Sequence, residues 1–215
     1  MTVASNDDLD AVASACAFLA HLYLRKEAGP ATIANLSAAD AAAWPLTGCG
    51  EDPDTQWGVG LLVRAVTEPA AEADLVADHA RLFVGPGRMK ACPWESVHRS
   101  EEGLTFEAET LQVRQAYTAA GFQAPAVNRE PDDHIGLELA FVGELAVAAL
   151  EARDRGDGEA EEFALSAAAT FVRDHLEVWG PGFADLVVEH ADTDLYRAAG
   201  YLLRGALPVF EAVLA

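Results

Sequence analysis

The sequence predicts an all-helical fold, and three observations carry that prediction. Apolar residues recur at steps of three and four in nearly every readable segment, the spacing of one helix face. No alternating apolar and polar run of convincing length occurs, and there are no internal repeats or low-complexity tracts beyond richness in alanine. Glycine and proline clusters punctuate the pattern at Gly29-Pro30, Trp44-Pro45 and Gly85-Pro86-Gly87. A chain of 215 residues that is 51% hydrophobic can build one substantial core. A single globular domain over 1–215 is therefore expected, looser over about 1–54.

The elements follow in order. Leu9, Val12, Ala13, Cys16, Leu19, Ala20 and Tyr23 mark the first helix, with Gly29-Pro30 as a stop just past Arg25-Lys26. An alanine-rich helix from about Thr32 to Ala43 ends before Trp44-Pro45, because proline disfavours the helical region for its predecessor. Leu46 to Asp54 reads as loop. Helices are expected at about Thr55 to Thr67 and Ala70 to Phe83. The segment Val84 to Ser100, with Gly85-Pro86-Gly87 and Cys92-Pro93-Trp94-Glu95-Ser96, is the longest punctuated loop, of a kind uncommon in compact domains unless it has a task. Helix resumes from about Phe106 to Gly121, a glycine placed for a C-terminal cap. After a loop from Phe122 to Pro131, Asp132-Asp133 can cap the strongest core helix, marked by Ile135, Leu139, Val142, Ala146 and Ala149. Arg153 to Gly158 reads as a turn, and further helices are expected at about Glu159 to Val178, Pro181 to His190 and Asp192 to Val209.

Charge excludes one class of partner. Fourteen Lys and Arg against 35 Asp and Glu give a net charge of −21, which repels a polyanion at long range and argues against nucleic-acid binding. Cys16, Cys49 and Cys92 are odd in number, far apart and in no CxxC pattern, so neither a disulfide framework nor a zinc knuckle is expected and the thiols are read as reduced. Met1 to Asp10 lacks a basic region, and no apolar stretch is long enough to span a bilayer, so a cytoplasmic protein is expected. The only adjacent basic pair, Arg25-Lys26, lies in a helical pattern and is no twin-arginine export signal.

Three clusters bear on chemistry. Gly85-Pro86-Gly87-Arg88-Met89-Lys90 has glycines and cations suited to phosphate but lacks the P-loop spacing and a strand before it, which favours a chain-redirecting turn. Glu130-Pro131-Asp132-Asp133-His134, with Glu138 one turn on, offers carboxylate and imidazole donors, against which stands a plain helix cap. Ser96 lacks a nucleophile elbow and Cys92 precedes proline, so acyl transfer is not expected. Trp94, flanked by proline, either plugs a neighbouring groove or walls a ligand site. Phe171-x-x-x-His175-Leu176-x-x-Trp179 lies on one helix face and reads as a core stripe with a buried histidine.

Leu82-Phe83-Val84-Gly85-Pro86-Gly87, Pro93-Trp94-Glu95-Ser96-Val97, Glu130-Pro131-x-Asp133-His134-Ile135 and the Phe171 to Trp179 segment, in this order over about 78–179, resemble the TorD/DmsD family of redox enzyme maturation chaperones. NarJ-type chaperones are a more distant likeness. Cys92-Pro93 stands where the family often has two prolines. The resemblance implies an all-helical, non-enzymatic chaperone. Such a protein binds the twin-arginine signal peptide of a molybdenum-cofactor oxidoreductase of the dimethyl sulfoxide or trimethylamine N-oxide reductase type, and delays its export along the Tat pathway until the cofactor is inserted.

Carried over residue by residue, the resemblance points to peptide binding by Leu82, Phe83, Pro93, Trp94, Glu130, Asp133 and His134. Glu130 and Asp133 would pair the leader's arginines, Leu82, Phe83 and Trp94 would take its apolar stretch, and His134 would orient or tune its acidic neighbour. The implied partners are that leader and the apo catalytic subunit, with monomer and dimer both open. No resident cofactor or metal is implied, and weak guanine-nucleotide binding enters by resemblance alone. Two rivals are a metal-dependent hydrolase using Asp133, His134, Glu138 and His175, and a purely structural helical subunit. If the acidity serves leader binding, acidic residues should concentrate around Glu130 to Asp133; an even spread would fit general solubility or a high-salt cytoplasm.

Overall fold

A computed structural model describes residues 4–46, 52–100, 105, 108–124 and 131–215. All the regular elements among them are helices: α1 (Asn6–Leu24), α2 (Ala28–Asn35), α3 (Ala38–Ala42), α4 (Pro53–Thr67), α5 (Glu72–His79), α6 (Glu95–Arg99), α7 (Ala108–Ala119), α8 (Ile135–Asp154), α9 (Gly158–Phe171), α10 (Glu177–His190) and α11 (Asp194–Leu214). Wide π turns at Ala80–Val84 and Val172–Leu176 continue α5 and join α9 to α10. Cys49 and Glu130 lie outside the described residues.

The α1 stripe is buried as its spacing predicts, apart from the partly exposed Ala13. Helix α1 packs along α8, and α11 packs against both α4 and α10. Side chains from these helices join one apolar core that includes Leu9, Leu19, Leu139, Val142, Phe183 and Leu202. No helix of the described residues is long and apolar enough to cross a membrane.

Several boundaries differ from the local reading. Gly29-Pro30 does not stop α1 but opens α2, where a proline in the first turn removes an N–H that has no helical acceptor anyway. The expected Thr32 to Ala43 helix is split at Leu36-Ser37. There the Ser37 hydroxyl accepts from the Asp40 N–H at 3.1 Å while the Asp40 carboxylate takes the Ser37 N–H, a reciprocal cap that starts α3. Helix α4 begins at Pro53 because the Asp52 carboxylate accepts the Thr55 N–H at 2.7 Å. The break expected near Pro181 is absent, and α10 runs through it. One lost hydrogen bond is outweighed there by burial of Trp179 and Phe183 on either side of the proline.

Helix α11 approaches α4 closely at Gly205. A Cβ there would lie 2.3 Å from Thr55 Oγ1 and 2.5 Å from Asp52 Oδ2, the carboxylate that caps α4. Gly205→Ala should therefore push on both the helix crossing and the cap, and is expected to cost about 1–3 kcal/mol of stability. Chemical denaturation monitored by circular dichroism measures this. An unchanged midpoint would show that the crossing yields without penalty.

Candidate functional site

The candidate site is built where the segment after α5 crosses the start of α8. The π turn closes with the Gly85 N–H donating to the Ala80 carbonyl at 2.7 Å, and Gly85 takes a φ of 104° that favours glycine. The chain then folds back on itself. The Lys90 and Ala91 N–H groups donate to the Arg81 and Leu82 carbonyls, so the glycine-rich segment redirects the chain as expected of a turn.

Two further backbone bonds lock Pro93–Glu95 against 133–135. The Ile135 N–H donates to the Pro93 carbonyl at 2.8 Å and the Glu95 N–H to the Asp133 carbonyl at 2.9 Å, an isolated antiparallel bridge that sets Trp94 opposite His134. The Asp133 side chain completes the lock. Fully buried, it accepts the Ser96 N–H at 2.7 Å and the Thr110 hydroxyl at 2.8 Å. Asp133 thus caps α6, the short helix inside what the sequence reads as loop, and not α8. The cap of α8 is His134, whose Nδ1 accepts the Gly136 N–H at 3.0 Å.

Asp132 is also buried, bound to the Arg114 guanidinium at 2.5 Å, while its carbonyl accepts the Tyr117 hydroxyl. The two described acids of this segment therefore add nothing to an exposed acidic patch, contrary to the concentration of charge expected there. Asp133 has both oxygens engaged, which leaves its assigned pairing with a ligand's arginines without a free acceptor facing outward. Burial, and the neighbouring His79 to a lesser degree, push the His134 imidazole down to about 4 against the pull of Asp133. His134 is neutral at physiological pH, so tuning of its neighbour by pH near neutrality does not occur.

The other expected site residues separate by depth. Leu82 and Phe83 are in the core, where the Phe83 ring meets His79, Tyr23, Tyr196 and Phe183 at centroid distances of 5.2 to 6.0 Å. Pro93 is buried. Trp94 and His134 are half-buried and meet edge to face at 5.6 Å, and the Trp94 indole N–H has no hydrogen-bond partner. Trp94 therefore fills part of its surroundings and also walls the surface.

Beneath the junction lies a polar layer that residue types alone did not reveal. Glu95, fully buried, takes the Arg99 guanidinium on Oε1 at 2.6 Å and pairs with His175 Nδ1 through Oε2 at 2.8 Å. Glu138, also fully buried, accepts the Trp179 indole N–H at 3.1 Å. Burial first, and the nearby Glu95 charge second, raise the Glu138 carboxyl well above the usual range. The spacing of Glu95 and Arg99, one helical turn apart, is the signal that reveals one of these pairs.

Phe171 stacks on His175 at 4.6 Å, so the Phe171 to Trp179 stripe is core, as its period predicts. Asp133, His134, Glu138 and His175 turn to different partners and do not converge as metal donors; among the described residues no group of three or more His, Cys, Asp or Glu is arranged to hold a metal.

Comparison with known proteins follows the same segments. The family described as nitrate reductase delta subunit matches residues 51–185. The Tat proofreading chaperone DmsD of Salmonella typhi is 30% identical over 87% of this chain and 81% of its own length. That of Salmonella typhimurium is 31% identical over the same shares. The chaperone protein TorD of Vibrio cholerae serotype O1 (strain O395) is 29% identical over 82% of this chain and 80% of its own.

The raised Glu138 carboxyl has a definite pH signature. Its folded value lies above its unfolded one, so its contribution is fully present below the unfolded value near 4.5 and is lost as pH rises toward the folded value. The stability of the native protein relative to Glu138→Gln is therefore expected to fall with rising pH above about 4.5. Referring both to the same pH cancels the opposite contribution of His134, which is lost as pH falls from about 6.5 toward 4. Urea titrations of both proteins across this range test the assignment, and parallel profiles would remove it.

Proposed function

We propose, from the premise that this chain belongs to the nitrate reductase delta subunit family and is related to the DmsD and TorD chaperones, that it binds the twin-arginine leader of a molybdenum-cofactor oxidoreductase. It is a chaperone and not an enzyme. In this reading it acts in the cytoplasm on the apo catalytic subunit and holds the leader back from Tat export until the cofactor is in place. The observation that carries the reading is similarity to a Tat proofreading chaperone over 87% of the chain, a span that includes the Trp94–His134 junction.

The side chains divide the task by depth. Trp94 offers an aromatic wall suited to an apolar leader segment, while its indole N–H is buried without a partner. His134 supports that wall as a neutral ring. Leu82, Phe83, Pro93 and Asp133 are buried and would act by holding their segments in place rather than by touching the leader. Glu130, outside the described residues, is the acid of this segment left to meet an arginine in a charge-assisted pair.

A synthetic twin-arginine leader titrated calorimetrically tests the proposal. Binding is expected, with weaker affinity once both arginines are replaced by alanine; an affinity indifferent to that replacement would remove the electrostatic half of the reading. Trp94→Ala should cost about 1–3 kcal/mol of binding, and Trp94→Phe less, since it keeps an aromatic wall. Full leader affinity in a folded Trp94→Ala protein would take Trp94 out of the site.

A further inference from the structure

Cations are scarce in this chain, and most of its arginines are already committed. Arg64 binds Asp194, Arg81 binds Asp78 and Asp192, and Arg204 binds Asp54 and Asp185. Arg88 and Lys90 differ. Both are exposed, and neither has a carboxylate within ion-pair distance among the described residues. They stand together on a cavity of about 720 Å³ between the 87–98 segment and α10, where His98 and His190 complete the polar lining and no carboxylate contributes to it. His190 lies 4.0 Å from the carboxylate of Glu189, which is itself largely exposed.

We infer that this cavity docks an acidic segment of a partner protein, one in which carboxylates flank an apolar side chain. The supposition that the partner is a protein client rests on the chaperone reading above. The chemistry of the cavity is read from its own lining. Met89, Val97 and Leu186 form its apolar part, which a bare oxyanion would leave unused, and its volume is several times what one such ion fills. A surface of net charge −21 turns acidic polypeptides away, so two unpaired cations beside apolar side chains mark a cavity whose chemistry favours them.

The walls are pre-set. The Lys90 N–H is bound to the Arg81 carbonyl at 3.2 Å, and the His98 ring to the Cys92 carbonyl at 2.7 Å. Little ordering is left for a ligand to impose. Cys92, Val97 and His98 border this cavity on either side of the Pro93 to Ser96 lock, so its occupant lies next to the Trp94 junction. A client holding its basic leader at that junction and an acidic segment here would be bound twice, and the second contact gains from the effective concentration set by the first.

The test uses the full chain and a short end-capped peptide of alternating Glu and Leu, with its Gln and Leu counterpart and inorganic phosphate as separate arms, all by calorimetry. The acidic peptide is expected to bind and to weaken with salt, with affinity falling about tenfold in Arg88→Ala/Lys90→Ala and being lost in Arg88→Glu/Lys90→Glu. Circular dichroism and retained twin-arginine leader binding show that both variants fold. Equal binding of the Gln peptide, unchanged affinity in the alanine pair, or full displacement of the peptide by phosphate would each overturn the inference, the last by making this a compact oxyanion site. Loss of leader binding in the native chain would overturn the leader reading alone, because the acidic peptide reports on this cavity directly.

Discussion

The buried carboxylate of Asp133 is the constraint on which the site depends. Removing such a group from water costs several kcal/mol unless its oxygens are met by donors. Here they are met by the backbone of Ser96 and the hydroxyl of Thr110, while the backbone carbonyl of the same residue takes the Glu95 N–H. One residue thus ties α6 and α7 to the entry of α8. A helix as short as α6 does not hold by itself, since its few internal hydrogen bonds do not repay the cost of nucleation. Its start is fixed from a residue 37 positions away, and the direction of Trp94, which immediately precedes it, is fixed with it.

A second constraint lies one layer deeper. Glu95 and Glu138 are buried near each other with one guanidinium, one imidazole and one indole among them. Burial and the nearby Glu95 charge raise the Glu138 carboxyl well above its usual range, while Arg99 and His175 are directed to Glu95. The arrangement costs stability as pH rises, yet it makes the position of α6 exacting: a shift of this helix would strand a buried acid without its partners. Because Glu95 directly follows Trp94, the polar layer and the surface wall move as one body. The apolar packing of Phe171, His175 and Trp179 around it supplies the rigidity that such a layer requires.

How much of this was legible in the sequence follows from the range of each interaction. The α1 stripe and the Phe171 to Trp179 stripe could be read because helical period is a local property, and both are core. The cap of α6 by Asp133 and the passage of α10 through Pro181 could not, because the groups responsible lie far off in the chain or act through tertiary burial. The site residues show the same division. Trp94 and His134 reach the surface, whereas Leu82, Phe83, Pro93 and Asp133 lie within, and residue type does not say whether an apolar side chain meets a ligand or the core. The family likeness was legible from four short segments because their order is preserved along the chain. That they meet at one junction is a matter of three-dimensional packing.

The distribution of charge follows from the same burial. Of the acids in the segment thought to attract a basic leader, Asp132 is neutralised by Arg114 and Asp133 is consumed by the lock. The net charge of −21 therefore acts on a ligand mainly from a distance, through carboxylates spread over the surface, and is screened beyond about 8 Å at physiological salt. Such a field can speed the approach of a basic peptide without fixing its register. Register in the leader reading has to come from short-range groups that do not titrate near neutral pH: the Trp94 ring and the neutral His134. Those groups are held by the lock of Asp133, so speed of encounter and selectivity are assigned to different parts of the molecule, and a change in salt would alter the first while leaving the second in place.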